Sequence, residues 1–212
     1  MLESFDTWQL VALAGTLGWA SGVRLYAVLF IVGGLGALGW IPLPGKLDLL
    51  AHPYVLAASG FMFFTEFLAD KIPGVDSVWD TLQTFVRIPA GAALAASVFG
   101  DAPGAWTLAA AIIGGTLAAG SHFAKSGSRM AINTSPEPFS NWAASFGEEL
   151  LVGLMLWLAW EHPFVAIVVL LLLVVLTIFL IRKAWQFLSR LFARLRETFV
   201  PAHASGPPRF PR

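Results

Sequence analysis

From Phe164 to Ile181 the chain runs for eighteen residues of Phe, Val, Ala, Ile and Leu, with Thr177 as the sole polar side chain. A run of that length without a charge is read as a helix crossing hydrocarbon, which takes about 20 predominantly apolar residues. With no polar face to show water, it belongs on the lipid-facing periphery of a bundle. Composition extends the inference to the rest of the chain. Of the 212 residues, 57% are hydrophobic and 12% charged, roughly half the charged fraction of an ordinary soluble domain. Formal net charge is zero, so no global field recruits nucleic acid. There is no cysteine, which excludes disulfides, thiolate metal sites and cysteine nucleophiles. The segment Met1–Asp6 has no basic region, so the first hydrophobic segment is read as retained rather than cleaved.

Five further apolar segments are legible. The first, Trp8 to Trp40, has 33 residues and is too long for one straight crossing. Its middle, Gly18-Trp-Ala-Ser-Gly-Val-Arg24, allows two readings: a half-helix, a flexible break and a full span, or one long tilted helix with Arg24 facing protein. The others are Pro53–Ala69, Asp76–Gly100 with Arg87 and Pro89 inside it, Trp106–Lys125 with a polar helical extension, and Asn141–Trp160. The fold class expected is all-α: a polytopic transmembrane helical bundle of about six spanning segments over residues 1–181, its first segment broken. Over residues 182–200, Arg182, Lys183, Arg190, Arg194 and Arg196 interleave with Trp185, Phe187, Leu188, Leu191, Phe192 and Leu195, the pattern of an amphipathic basic helix on the membrane surface. Residues 201–212 hold four prolines and no apolar period, and read as a disordered tail. The basic residues set the orientation. One set of loops holds Lys71, Lys125, Arg129 and the basic residues after segment six, the other only Lys46, so the C-terminal side is expected to be cytoplasmic.

Ionisable side chains in hydrocarbon cost about 2.5–3.5 kcal/mol each on insertion scales, so they face protein or a water-filled path. Here they form stripes. Asp76, Asp80, Gln83 and Arg87 fall at i, i+4, i+7 and i+11, one helix face. His122, Ser126, Arg129 and Asn133 repeat that spacing, and Asn141, Ser145 and Glu148 follow it on segment five with Glu149 adjacent. Glu66 and Asp70 lie one turn apart at the end of segment two, and Arg24 sits in the break of segment one. All fall in the half of the membrane read as cytoplasmic, and six carboxylates against five bases and a histidine argue that most are paired. An internal echo, P-x3-S-x-W at Pro73–Trp79 and Pro136–Trp142, suggests a parallel repeat.

The stripes have a functional reading, a hydrophilic path or binding site between helices, and a structural one, a salt-bridge network that fixes packing. Glu66, Asp80, His122 and Glu148 are candidate ligands for a hard cation such as Mg²⁺ or Ca²⁺. His122 alone could instead be a hydrogen-bonded core residue or a proton relay. Gly33-Gly34, Gly36 and Gly114-Gly115 lie inside apolar spans with no Lys-Ser/Thr after them, which points to close helix packing rather than phosphate binding. No nucleophile elbow accompanies Ser21 or Ser121-His122.

The ordered set Ala20-Ser-Gly-Val-Arg24, Glu66-Phe-Leu-Ala-Asp-Lys-Ile-Pro-Gly-Val-Asp76, Arg87-Ile-Pro-Ala-Gly91, His122-Phe-Ala-Lys-Ser-Gly-Ser-Arg129 through Asn133, and Asn141 to Glu148-Glu149 resembles a bacterial integral-membrane family catalogued as a domain of unknown function, number 4126. The resemblance covers about residues 8 to 180, and the Glu-x3-Asp-Lys-x-Pro-Gly block is its most specific element. It implies that these polar residues form a site shared by the family, and brings no established reaction. At Arg87-Ile88-Pro89 the chain departs from a pattern in which Arg is followed directly by Pro.

The function expected is a transporter or channel-like protein for a small ion or small polar solute, multi-pass in the bacterial cytoplasmic membrane. Its path would be lined by Arg24, Glu66, Asp70, Asp76, Asp80, Arg87, His122, Lys125, Arg129, Asn133, Asn141, Ser145, Glu148 and Glu149. The alternative is a flippase or membrane-embedded enzyme acting on a phosphate-bearing lipid, with Arg24, Lys125 and Arg129 clamping the phosphate. A third is a structural scaffold. The reading leans away from an enzyme and from any cofactor beyond a bound cation. Its partners are the bilayer and the small solute, not nucleic acid, and a homo-oligomer is left open.

Overall fold

The structure, a computed structural model, describes residues 5–134 and 139–199, with side chains through Arg190. The described chain is helical: α1 (Thr7–Ala37), a 3-10 turn (Leu47–Ala51), α2 (Pro53–Ala69), α3 (Val75–Val98), α4 (Gly104–Ile132), α5 (Phe139–Glu161) and α6 (Pro163–Phe199). Local chemistry sets the starts. Asp6 caps α1 by accepting from the Gln9 amide at 2.6 Å, where an orphan N–H needs an acceptor. Pro53 opens α2 at a position that lacks an N–H partner anyway. Gly74, at φ 87°, turns the chain into α3, a conformation that costs glycine little.

Among the described residues, four helices are long and apolar enough to cross a membrane: α1, α4, α5 and α6 as far as Arg190. The sequence expectation of six counted two more. α2 is apolar but has 17 residues. α3 has 24 residues, yet Asp76, Asp80, Gln83 and Arg87 occupy its buried face and lower its hydropathy. Both belong to the same multi-spanning bundle, whose core runs along α1 and the inner faces of α3, α4, α5 and α6.

The centre of the bundle is α1, buried almost continuously from Leu10 to Val28. Straight, its 31 residues would span about 45 Å. Instead, its two ends lie together. Gln9 Nε2 donates to the Trp160 carbonyl at 3.1 Å, and Val32 and Leu35 line a small cavity with Trp157 and Trp160. Trp160 Nε1 in turn donates to the Pro42 carbonyl just beyond the helix at 3.1 Å. The chain turns back at Arg24, whose backbone (φ −146°, ψ 72°) leaves the helical region. The turn sits at the far end of the bundle, beside Asp70 and Ser145.

Small residues let the first arm of α1 lie against α4. A Cβ on Gly18 would stand 2.6 Å from the Gly114 Cα. One on Gly22 would overlap the Ala118 carbonyl oxygen and Ser121 Oγ. Ser121 Oγ donates to the Trp19 carbonyl at 2.7 Å across the same contact. Of the glycines read as packing residues, Gly33 and Gly114 are in close contact, whereas Gly34 meets nothing within 4 Å. Gly22→Ala is therefore expected to cost about 1–3 kcal/mol, because it forces backbone apart. Gly34→Ala should leave melting in detergent unchanged or raised. Equal melting of the two variants would contradict the packing account.

On the periphery, α6 exposes Leu171, Leu172 and Val175. It continues without a backbone break from the apolar run through Arg182 to Phe199, so the basic stretch is the same helix prolonged. The side chains of Leu191, Phe192, Arg194, Leu195 and Arg196 lie outside the described residues, as do the tail 201–212 and residues 136–138 of the second P-x3-S-x-W copy.

Candidate functional site

Lys125 was counted above among loop residues. Only that count changes: α4 runs on to Ile132 through the polar helical extension expected, and Lys125 is buried on its inner face. A hydropathy window ends at the first charges, but a helix continues wherever its charges find partners inside. Lys125 Nζ stands 3.1 Å from Asp70, 3.4 Å from Glu148, 3.5 Å from Asp80 and 3.7 Å from Glu66. It also donates to the Val23 carbonyl at 3.1 Å, just before the turn of α1. One ammonium thus gathers carboxylates from α2, its C-terminal cap, α3 and α5.

Three arginines surround it. Arg24 holds Asp70 at 2.9 Å, Glu148 at 3.2 Å and Glu149 at 3.6 Å, and donates to Ser145 Oγ at 2.7 Å. Its position follows from the turn of α1, where the non-helical backbone aims the guanidinium across the bundle. Arg87 binds Glu66 from α2 and Asp80, two turns earlier on its own helix, at 2.8 Å. Arg129 grips Glu148 with two parallel bonds of 3.1 and 3.0 Å, the strong planar geometry of guanidinium on carboxylate. It also donates to the carbonyls of Asp70 and Asn141, each at 3.1 Å.

Polar neutral groups extend the network in two directions. Asn141 Nδ2 donates to Asn133 Oδ1 at 2.7 Å, and Asn133 Nδ2 to the Asp76 carboxylate at 2.8 Å. Asp76 accepts further from the amides of Gly74 and Ser77 at the start of α3. On the other side, His122 meets Arg87 Nη1 at 3.2 Å and Thr84 Oγ1 at 2.7 Å. The structure therefore joins all fourteen residues named from the sequence into one connected network: Arg24, Glu66, Asp70, Asp76, Asp80, Arg87, His122, Lys125, Arg129, Asn133, Asn141, Ser145, Glu148 and Glu149. Sequence reasoning missed Thr84 and Tyr26, which donates to Gln83 at 3.0 Å. Thr84 continues the i, i+4 stripe of Asp76 and Asp80 and was legible from spacing; Tyr26 belongs to no stripe, so spacing carries no signal for it.

Burial is nearly complete. Arg24, Glu66, Asp70, Asp76, Arg87 and Arg129 are each 0% exposed. Within this dense pairing, Glu66 Oε2, Asp70 Oδ1 and Asp80 Oδ2 are buried with no hydrogen-bond partner among the described residues. Native proteins rarely leave such acceptors unpaired. Among the described residues, no group of three or more His, Asp and Glu side chains is arranged to hold a metal ion. His122 is engaged with Arg87 and Thr84 instead.

Two openings approach the network from the side. A groove of about 140 Å³ is walled by Trp19, Leu173, Leu176 and Leu180 and ends on Lys125 and Glu148. On the outer face of α5, an open cleft is lined by Phe146, Glu149, Leu150, Gly153 and Leu154. At the end of α2, outside the helices, Lys71 Nζ lies 2.9 Å from the centre of the Phe67 ring. Burial there pushes its pKa below the usual lysine value.

A family model described as domain of unknown function (DUF4126) matches residues 11–183, so the chain belongs to that family. No curated protein and no solved structure matches the chain.

Proposed function

We propose that this DUF4126 member is a transporter or channel-like protein for a small ion or small polar solute, with the buried ionic network as its intramembrane site. The observation that carries the reading is the Lys125 ammonium held among four carboxylates at 3.1 to 3.7 Å. A lysine on a flexible stem fills the place of a mobile cation, and its withdrawal would leave an oxygen-rich site for a hard cation or protons. The three arginines hold the carboxylates when the lysine leaves. The turn of α1 at Arg24 brings backbone carbonyls to the same point, as non-helical backbone does where it lines a path.

Orientation now rests on fewer loop charges, since Lys125 and Arg129 are buried in ion pairs. Lys71 and the basic extension of α6 remain, and their positive charge supports a cytoplasmic Asp70 end. With α1 as two arms, the N-terminus lies on the opposite side. Reporter fusions should find residues 182–212 inside the cell and the segment before Trp8 outside. A tail found outside would end this topology.

A second reading has one specific support. The apolar groove ending on Lys125 and Glu148 would suit a lipid whose phosphate meets Lys125 and Arg129, making the protein a flippase or a lipid-headgroup enzyme. One experiment separates the two: flux into proteoliposomes across a panel of cations, anions and labelled lipids. Cation or small-solute flux that is lost in Glu66→Gln supports the first reading. Lipid movement without solute flux replaces it with the second.

A further inference from the structure

The ion pairs of the network join five carboxylates, Glu66, Asp70, Asp80, Glu148 and Glu149, to four cations, Arg24, Arg87, Lys125 and Arg129. Asp76, held by Asn133 and the Gly74 and Ser77 amides, and Lys71 beside Glu149 bring the count to six carboxylates and five cations. One acid is in excess, and an unneutralised carboxylate in hydrocarbon is expensive. Geometry distinguishes which one. Glu148 is held by both nitrogens of Arg129 and by Arg24 and Lys125. Glu66 and Asp80 share Arg87, and Asp70 lies against Arg24 and Lys125. Among the described residues Glu149 has a single ion-pair partner, Arg24 Nη2 at 3.6 Å, which is beyond hydrogen-bond distance, and its oxygen Oε1 is buried without a hydrogen bond. It is also the outermost of the five, with 21% of its side chain exposed. It opens onto the cleft on α5, where a Cβ on Gly153 would meet nothing within 4 Å.

We propose that Glu149 is the proton-exchange residue of the network: a carboxyl that carries the excess proton at the α5 cleft and passes charge to the buried cluster through Arg24. The charged groups around it are Arg24 from α1, Asp70 and Lys71 from the end of α2, and Glu148 beside it on α5. Lys71 donates to the Phe67 carbonyl at 3.2 Å and lies over that ring, with its Nζ 4.7 Å from the Phe146 ring that lines the cleft. It stands on the cleft side without forming an ion pair to Glu149. Loss of the proton from Glu149 gives Arg24 a full negative partner on the cleft side. That competes with the hold of Arg24 on Asp70 and Glu148, the two acids that also bind Lys125. Protonation at the cleft is in this way tied to how firmly Lys125 is kept in place. The inference rests on reading the network as an ion or solute site, and one of its tests does not depend on transport.

Dicyclohexylcarbodiimide is an apolar reagent that reaches carboxyls from the bilayer. The protonated acid adds across one of its C=N bonds, and the O-acylisourea formed rearranges to a stable N-acylurea. The full-length protein in lipid bilayers is treated with it at several pH values, and the adduct is located by peptide mass spectrometry. The expected result is an adduct on Glu149, absent in Glu149→Gln, that declines as pH rises. Glu66, Asp70, Asp80 and Glu148 should remain unmodified. Labelling of the buried acids in preference to Glu149, or none on Glu149 at any pH, overturns the proposal. In proteoliposomes, Glu149→Gln should flatten the pH profile of flux while leaving melting unchanged, since Arg24 keeps Asp70 and Glu148. A profile that survives the substitution also overturns it. Absence of flux in the unsubstituted protein would sink the transport reading instead, and the labelling would still decide where the proton resides.

Discussion

Replacing Arg87 by methionine is expected to lower the stability of the fold by about 3–5 kcal/mol, the range for removing one partner of a buried ion pair. Among the described residues, Arg87 is the one guanidinium on Glu66 and Asp80. Without it, both acids depend on Lys125 at 3.7 and 3.5 Å, and His122 loses the donor on its Nδ1 side. The loss falls between α2 and α3, helices that otherwise touch little, so the hairpin they form should loosen first. The check is thermal melting in detergent of Arg87→Met beside a triple variant that adds Glu66→Gln and Asp80→Asn. The triple should recover part of the loss, because it removes the stranded charges as well as the arginine. Melting of Arg87→Met at the temperature of the unsubstituted protein would mean that the pair contributes nothing to the fold.

Lys125→Met should behave in the opposite way, with modest damage to the fold and severe damage to function. Each carboxylate around Lys125 has an arginine in addition: Arg87 for Glu66 and Asp80, Arg24 for Asp70, Arg129 for Glu148. The melting loss should therefore be smaller than that of Arg87→Met. If the ammonium is the internal competitor of a transported cation, removing it should tighten cation binding by about tenfold, roughly 1.4 kcal/mol. Turnover should cease, because nothing then displaces the bound ion. Calorimetric binding and proteoliposome flux on the same variant read the two effects separately. Weaker binding accompanied by a collapse in melting would place Lys125 in the packing of the bundle and not in its cycle.

The contrast between these two residues shows what the sequence could and could not tell. Helical spacing was enough to put Asp76, Asp80, Gln83 and Arg87 on one face, and all four are buried on α3. The start of α2 at Pro53 and its end at Ala69 were legible from proline chemistry and the charges that follow. Spacing along one helix says nothing about which helix it faces, so the convergence on Lys125 was out of reach. Lys125 is legible as a path residue at the end of segment four, but the orientation count also takes it as a loop charge, because hydropathy scores a charge as exposed, whereas partners from other helices keep it inside. Gly18, Gly22 and Arg24 marked the middle of segment one but left two readings open, because nothing local records that Gln9 and Leu35 both meet Trp160. Likewise, the change from apolar to basic residues at Arg182 is a change of side chains along one helix, with no break in its backbone.

The central claim, that the carboxylates around Lys125 form an ion site, is tested most directly by cation binding measured calorimetrically across pH. Melting is followed in parallel for the unsubstituted protein and for Glu66→Gln. Protons and cations compete for the same oxygens, so binding should weaken as pH falls. Glu66→Gln should reduce it by a larger factor than its effect on melting would account for. A protein that binds no cation at any pH would contradict the account and leave the lipid-headgroup reading in its place. A Glu66→Gln variant that binds as well as its parent but melts far lower would assign this carboxylate to the architecture of the bundle alone.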